Sequence, residues 1–394
     1  MISCAGPSRT GAFITCRAAR DRLGASTPMH ASPLGAPQAL PLSLIQLGFN
    51  DAFVSAFAQV ALASDRPARV VAVHRNRVIV ACADGEYSVA LDNTLLHTDS
   101  INRPSTGDWT AVRVDASGLP VEVRAVVPRR TAFIRGAAGT KAAPQVVAAN
   151  IDHALIVSAL PDDLNERRLE RYVALAWESG AMPAVVLTKC DLVDDVGEYV
   201  ARVRGVAPGV DVIAVSATSD EGILELRARM APHTTIALLG SSGVGKSTLV
   251  NRLAGTTLMR TADVDGDGRG RHTTTHRELV RLPGGLLVID TPGMRELQLW
   301  SANAGLEQVF DDIMQLSQSC RFADCGHDVE PGCAVTDAAA NGQLPRERLA
   351  SWRKLMREAA RARMHGDAVA ANAERAKLRA LMRAIRVQEN SRRD

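Results

Sequence analysis

Three groups of residues in this 394-residue chain have types and spacings that could do chemistry. The first is Gly240-Ser241-Ser242-Gly243-Val244-Gly245-Lys246-Ser247-Thr248, which follows the apolar run Thr235-Ile236-Ala237-Leu238-Leu239 and enters a stretch of helical periodicity. Strand, glycine loop and helix together let backbone N–H groups turn onto the α- and β-phosphates of a nucleotide, helped by the positive helix end. Lys246 would reach the β- and γ-phosphates, and the Ser247 hydroxyl would ligate Mg²⁺.

The second group reads the base. Thr188-Lys189-Cys190-Asp191 ends the apolar strand Ala184-Val185-Val186-Leu187, and Ser216-Ala217 ends Val212-Ile213-Ala214-Val215. A carboxylate accepts from both N1–H and the exocyclic amine of guanine, a pattern adenine lacks, so GTP is expected over ATP. Thr188 stands where Asn is commoner; Ser216-Ala217 would offer backbone N–H to guanine O6. Asp290, after Leu286-Leu287-Val288-Ile289, opens Asp290-Thr291-Pro292-Gly293. At the carboxyl end of a parallel strand it would hold Mg²⁺ through water, and the Gly293 N–H would meet the γ-phosphate.

Between these motifs lies Gly266-Asp267-Gly268-Arg269-Gly270-Arg271-His272-Thr273-Thr274-Thr275, where a nucleotide switch belongs. One of Thr273, Thr274 and Thr275 would complete the Mg²⁺ shell; the sequence does not select which. Met294 occupies the position where many GTPases carry a water-orienting glutamine. An apolar side chain cannot polarise water, so intrinsic hydrolysis should be slow or another group must act. His272 is the local candidate, and a solvated loop histidine is the plain alternative.

The third group is Cys320-x4-Cys325-x-His327-x5-Cys333. Three thiolates and an imidazole so close together suit a closed, structural Zn²⁺ site. Disulfides compete for the same cysteines, but a nucleotide-binding chain without a secretory signal is expected in the reducing cytoplasm.

The elements that position these groups are legible in outline. Five short apolar runs, 69–73, 77–82, 87–91, 109–114 and 121–127, are separated by turn signals such as Asp84-Gly85 and Ser117-Gly118 and fit a small β domain. Tyr87 and Trp109 are its aromatic residues, too few for stacking on RNA bases to be expected. From Arg346 to Asp394 there are 14 Lys/Arg against 6 Asp/Glu, a basic helical stripe suited to phosphate backbones or simply a charged, exposed helix. The first 40 residues are rich in Ala, Ser, Pro and Gly and read as a disordered extension. A transit peptide has similar composition; a bacterial extension or an over-long start, with Met29 as the true start, is the preferred reading. Net charge is only +3, and no apolar run approaches the ~20 residues needed to span a bilayer.

The motif order is unusual: base-reading elements precede the phosphate loop, and Asp290-Thr291-Pro292-Gly293 comes last. This order resembles the circularly permuted GTPases. Together with Gly270-Arg271-His272-Thr273-Thr274-Thr275, the Cys₃His pattern and Gln145-Val146-Val147-Ala148-Ala149-Asn150-Ile151-Asp152, it resembles the small-ribosomal-subunit-dependent family among them, over roughly residues 45 to 360. That resemblance implies an α/β P-loop GTPase domain of permuted topology (136–300), preceded by an OB-type β-barrel (41–135). A mainly α-helical, zinc-binding domain with a basic tail (301–394) would follow. It also implies a monomer that hydrolyses GTP during late maturation of the small subunit, contacts 16S rRNA, and is stimulated by that subunit, with other assembly factors as further partners. In that family the histidine matching His272 is proposed to be catalytic.

Overall fold

The computed structural model describes residues 42–75, 77–135, 144–259, 278–290 and 303–364. Two helices come first, α1 (Leu42–Gln46) and α2 (Asp51–Val60), the second capped by Asn50, whose side chain accepts the Phe53 N–H at 3.3 Å. Five strands follow: β1 (Arg66–Val73), β2 (Val78–Cys82), β3 (Gly85–Leu91), β4 (Trp109–Val114) and β5 (Pro120–Val126), with a short helix α3 (Asn93–His97) between β3 and β4. They pair as β1-β2-β3-β5-β4, and β1 returns to β4 to close the ring. The β3–β5 pair is parallel and the other pairs are antiparallel, the connectivity of an OB barrel. Each strand sends an alternate valine inward: Val70, Val80, Val89, Val112 and Val123. Trp109 is fully buried under Phe49 and Phe53 at ring distances of 4.6 and 5.9 Å, so it is a core residue and no platform for a base.

A two-stranded ribbon, β6 (Ala132–Arg135) with β7 (Gln145–Ala149), leads into the α/β region. There β8 (His153–Ala159), α4 (Glu166–Ser179), β9 (Met182–Thr188), α5 (Val196–Val206), β10 (Asp211–Val215), α6 (Ile223–Ala228), β11 (Thr235–Leu239), α7 (Lys246–Ala254), β12 (Glu278–Arg281) and β13 (Leu287–Asp290) alternate along the chain. The spatial order is β10-β9-β8-β11-β13-β12, parallel except for the edge strand β12, which also meets β1 through Ala72 and Glu278. Strands of this kind are covered on both faces and read as continuous apolar runs. Along β8, Ala154 and Ile156 enter one core while Leu155 and Val157 enter the other.

The C-terminal region is helical: α8 (Asn303–Val309), α9 (Asp311–Ser317), α10 (Ala334–Asn341) and α11 over 346–364. Leu306, Val309, Phe310, Trp352 and Leu355 share one core with Leu169, Val173 and Ala176 of α4. The helices approach closely because Gly305 has no side chain; a Cβ there would lie 2.4 Å from the Ala174 carbonyl. The N-terminal extension and the basic tail beyond residue 364 lie outside the described residues.

Candidate functional site

Because β8, β9, β10, β11 and β13 run parallel, their carboxyl ends lie along one edge of the sheet. Three motifs far apart in sequence are thereby delivered to it: Thr188–Asp191 after β9, Ser216-Ala217 after β10 and Gly240–Ser247 after β11. The main-chain position of Asp290, at the end of β13, joins them. Ligands of open α/β sheets bind at this edge.

The phosphate loop is shaped by its glycines. A Cβ on Gly240 would lie 2.3 Å from the Val157 carbonyl, so only glycine lets the loop pass over β8. Gly245, at φ 90, makes the left-handed turn that starts α7, with Lys246 and Ser247 in its first turn. Val244 is buried and anchors the loop. The Lys246 ammonium donates to the Gly240 carbonyl at 2.9 Å and to that of Ser241, so it sits at the loop mouth where phosphate oxygens would gather.

The base-reading elements support one another. Thr188 donates its hydroxyl to the Val244 carbonyl at 2.7 Å, tying the end of β9 to the phosphate loop. Lys189 takes the left-handed conformation (φ 58), and Cys190 is buried behind the exposed Asp191. The Ser216 and Thr218 hydroxyls and the nearby Lys189 hold the Asp191 carboxyl below the usual carboxylate range, with the Ser216 hydrogen bond the strongest influence. An ionised acceptor therefore faces solvent at neutral pH, as two guanine N–H donors require. Ser216 is fully buried and accepts from the Thr218 and Ser219 N–H groups at 3.2 Å, a turn that presents Ala217. Thr218 was not singled out from the sequence; a hydroxyl following Ser-Ala was the available signal.

Of the other sequence-selected residues, His272, Thr273, Thr274, Thr275 and Gly293 lie outside the described residues, as do Met294 and the Asp290 side chain.

The cysteine cluster stands apart. Cys320, Cys325, His327 and Cys333 place their ligand atoms within 4.8 Å of one another. Cys320 Sγ and Cys333 Sγ are 3.9 Å apart, and His327 Nδ1 is 3.6 and 3.5 Å from them. A tetrahedral Zn²⁺ with ordinary bond lengths demands edges of about 3.8 Å between sulfurs and about 3.5 Å from sulfur to nitrogen, so the donor set fits. The sulfur separation also rules out a Cys320–Cys333 disulfide, whose S–S bond is about 2.0 Å. His327 adopts φ 54 to present Nδ1, its carbonyl accepts from Arg353 Nε at 2.9 Å, and its ring packs on Trp352 of α11. The Glu330 carboxylate accepts from the Gly326, Asp328 and Val329 N–H groups and is pulled down to about 2 by those backbone donors. Cysteine cluster, loop and helix are thus connected.

Comparison with known proteins finds relatives over most of the chain. The family model described as RsgA GTPase matches residues 126–300. A protein of Opitutus terrae named small ribosomal subunit biogenesis GTPase RsgA is 44% identical over 360 residues, covering 88% of this chain and 98% of its own length. A Streptomyces coelicolor protein of the same name is 47% identical over 320 residues, covering 80% of this chain and 86% of its own. Among solved structures, YjeQ from Thermotoga maritima superposes with a TM-score of 0.57 at 23% identity, over 75% of this chain and 99% of that one. YloQ, described as a circularly permuted GTPase, gives 0.54 at 22% identity, over 76% and 96%. These two bear on the fold alone.

Proposed function

This chain belongs to the RsgA GTPase family, and from that premise we propose that it binds the small ribosomal subunit and hydrolyses GTP during the subunit's late maturation. Hydrolysis is stimulated by the subunit and coupled to release. The observation that carries the reading is the meeting of the phosphate loop with Asp191, itself backed by Ser216 and Thr218, at one sheet edge. Gly240 to Thr248 bind the phosphates, with Ser247 on Mg²⁺. Thr188, Lys189, Cys190, Asp191, Ser216 and Ala217 form the guanine pocket. Asp290, Gly293 and one of Thr273, Thr274 and Thr275 complete the γ-phosphate and Mg²⁺ shell, and His272 orients the attacking water. Cys320, Cys325, His327 and Cys333 hold one structural Zn²⁺. The protein acts as a cytoplasmic monomer in contact with 16S rRNA and other assembly factors. Among the described residues no helix is long and apolar enough to cross a membrane.

The test is steady-state GTP hydrolysis with and without purified small subunits. Stimulation by small and not large subunits is expected. Asp191→Asn should lose GTP turnover and gain xanthosine triphosphate, whose 2-oxo group accepts from an amide N–H where guanine offers a donor. Met294 favours a second reading, a nucleotide-binding scaffold without turnover; nucleotide binding with no hydrolysis under any subunit would establish it instead.

A further inference from the structure

The hydroxyl of Ser216 is fully committed. Ser216 is buried, and its Oγ accepts from the Thr218 and Ser219 N–H groups, both at 3.2 Å. Those two bonds fill the two lone pairs that a hydroxyl oxygen offers. The Ser216 and Thr218 hydroxyls are also 2.7 Å apart, so one of them donates to the other. Donation from Thr218 would load a third donor onto the Ser216 oxygen; the Ser216 proton therefore goes to Thr218 Oγ1. The proton of Thr218 is then the one left over, at an exposed position beside the Asp191 carboxyl.

The surrounding loop gives that proton a fixed origin. The Ser216 N–H donates to the Glu221 carbonyl at 3.0 Å and closes the loop at its base. Gly222, left-handed at φ 71, lies so close to the Ala214 carbonyl of β10 that a Cβ has no room. Asp220 pairs with Arg252 of α7 at 3.2 Å, which ties the outer arm of the loop to the helix that follows the phosphate loop. Asp191 itself stands exposed in the single helical turn Cys190–Leu192. The terminal torsion of an aspartate is soft, so the plane of its carboxylate is set by whatever donor it meets.

We infer that Thr218 is a specificity-determining positioning residue: its hydroxyl donates to one Asp191 oxygen and fixes the carboxylate plane so that both oxygens meet the two N–H donors of guanine. The inference rests on the proposed reading of guanine by Asp191. Each carboxylate oxygen has two acceptor sites, so a bond from Thr218 leaves room for the base. A carboxylate free to turn still accepts from N1–H. The second, simultaneous bond from the exocyclic amine is the one that needs the plane held. Thr218 thus acts on the base alone, because the phosphates belong to Gly240–Ser247 after a different strand.

The experiment displaces fluorescent GDP from the full chain, with Mg²⁺ present, using GDP or inosine diphosphate, which keeps N1–H and lacks the exocyclic amine. It is run on wild type, Thr218→Val, Thr218→Ser and Ser216→Ala. Wild type should prefer GDP by roughly tenfold or more, the worth of one hydrogen bond to a charged acceptor. Thr218→Val should lose about five- to tenfold for GDP and stay within about twofold for inosine diphosphate, so that most of the preference disappears. Thr218→Ser restores the hydroxyl and should restore the preference. Ser216→Ala strips two N–H groups of their acceptor and should weaken both nucleotides alike. An unchanged preference in Thr218→Val would overturn the inference and make Ser216 the direct donor. Equal losses for the two nucleotides would overturn it too, since they would show a purely structural role. Equal binding of the two by wild type would instead strike the reading of guanine by Asp191, and the inference with it.

Discussion

The nucleotide-binding region is gripped from two sides by a buried arginine, and the two arginines are satisfied in opposite ways. On the barrel side, Arg69 of β1 is entirely buried, and among the described residues its bonds go to neutral groups. These are the carbonyls of Leu47, Gly107 (3.3 Å) and Asn150 (3.1 Å) and the Thr235 hydroxyl (2.8 Å), with the Trp109 ring 5.5 Å away. Burial drags its ordinary value down to about 10, with Asp152 and Asp108 pulling the other way. On the zinc side, Arg348 of α11 lies between Glu170 at 3.0 Å and Asp312 at 2.9 Å, over the Phe310 ring and bonded to the Val309 carbonyl at 2.7 Å. The difference is one of what a loss leaves behind. Removing Arg69 strands carbonyls, whereas removing Arg348 strands a buried carboxylate, a much costlier orphan.

The broadest way to break this comparison is to take away the zinc proposed for Cys320, Cys325, His327 and Cys333. Bound zinc contributes on the order of 10 kcal/mol to folding in small zinc modules, and here His327 packs on Trp352 and its carbonyl holds Arg353. A strong chelator should therefore abolish amide-exchange protection across α9 to α11, loosening the Arg348 joint, while the barrel strands of the Arg69 joint stay protected. Protection lost equally in both regions would mean that the joints are not independent.

Next in size is Arg348→Ala. It should destabilise by about 3–5 kcal/mol in chemical denaturation, the cost of breaking a buried pair from one side. Arg348→Met combined with Glu170→Met should recover much of that, because no charge is then left buried. Arg69→Met should cost less, about 2 kcal/mol, since water can satisfy the stranded carbonyls. A cavity of about 250 Å³ lined by Arg69, Asn150 and Thr235 is at hand to admit it. If Arg69→Met proved the costlier of the two, charge balance would not be what separates the joints.

The smallest effect sharpens the zinc side alone. Burial raises the Glu170 carboxyl above its ordinary value, against the pull of Ser351 and Arg348. The folded state then binds a proton more tightly than the unfolded chain. Stability from this group is complete below the ordinary carboxylate value and is lost as pH rises through the raised one. Titrating from neutral pH towards pH 4.5 should therefore shift the stability difference between wild type and Glu170→Gln in favour of wild type. An unchanged difference across that window would place the Glu170 carboxyl at its ordinary value.

How much of this was legible depended on how local each feature is. Lys246 and its glycines could be read directly, because they fall within one short loop, although the 2.3 Å approach of Gly240 to the Val157 carbonyl needed the fold. The four candidate metal donors are legible for the same reason, all within one short loop. The barrel strands followed from alternation, but the place of Trp109 in the core did not. Its burial depends on Phe49 and Phe53, which lie 60 and 56 residues earlier (109 − 49 and 109 − 53).

The sequence by itself determined the candidate chemistry: which residue types could hold phosphate, guanine and zinc, and the permuted order in which they come. Only the tertiary structure decided their company. Thr188 could not be seen to bond Val244, nor Arg69 Thr235, nor Arg348 Glu170, because these partners lie 56, 166 and 178 residues apart. The residue type states what a side chain can donate or accept. Which group it meets is set by strand order and helix packing, where many weak apolar contacts, none encoded at the site itself, bring the two ends together.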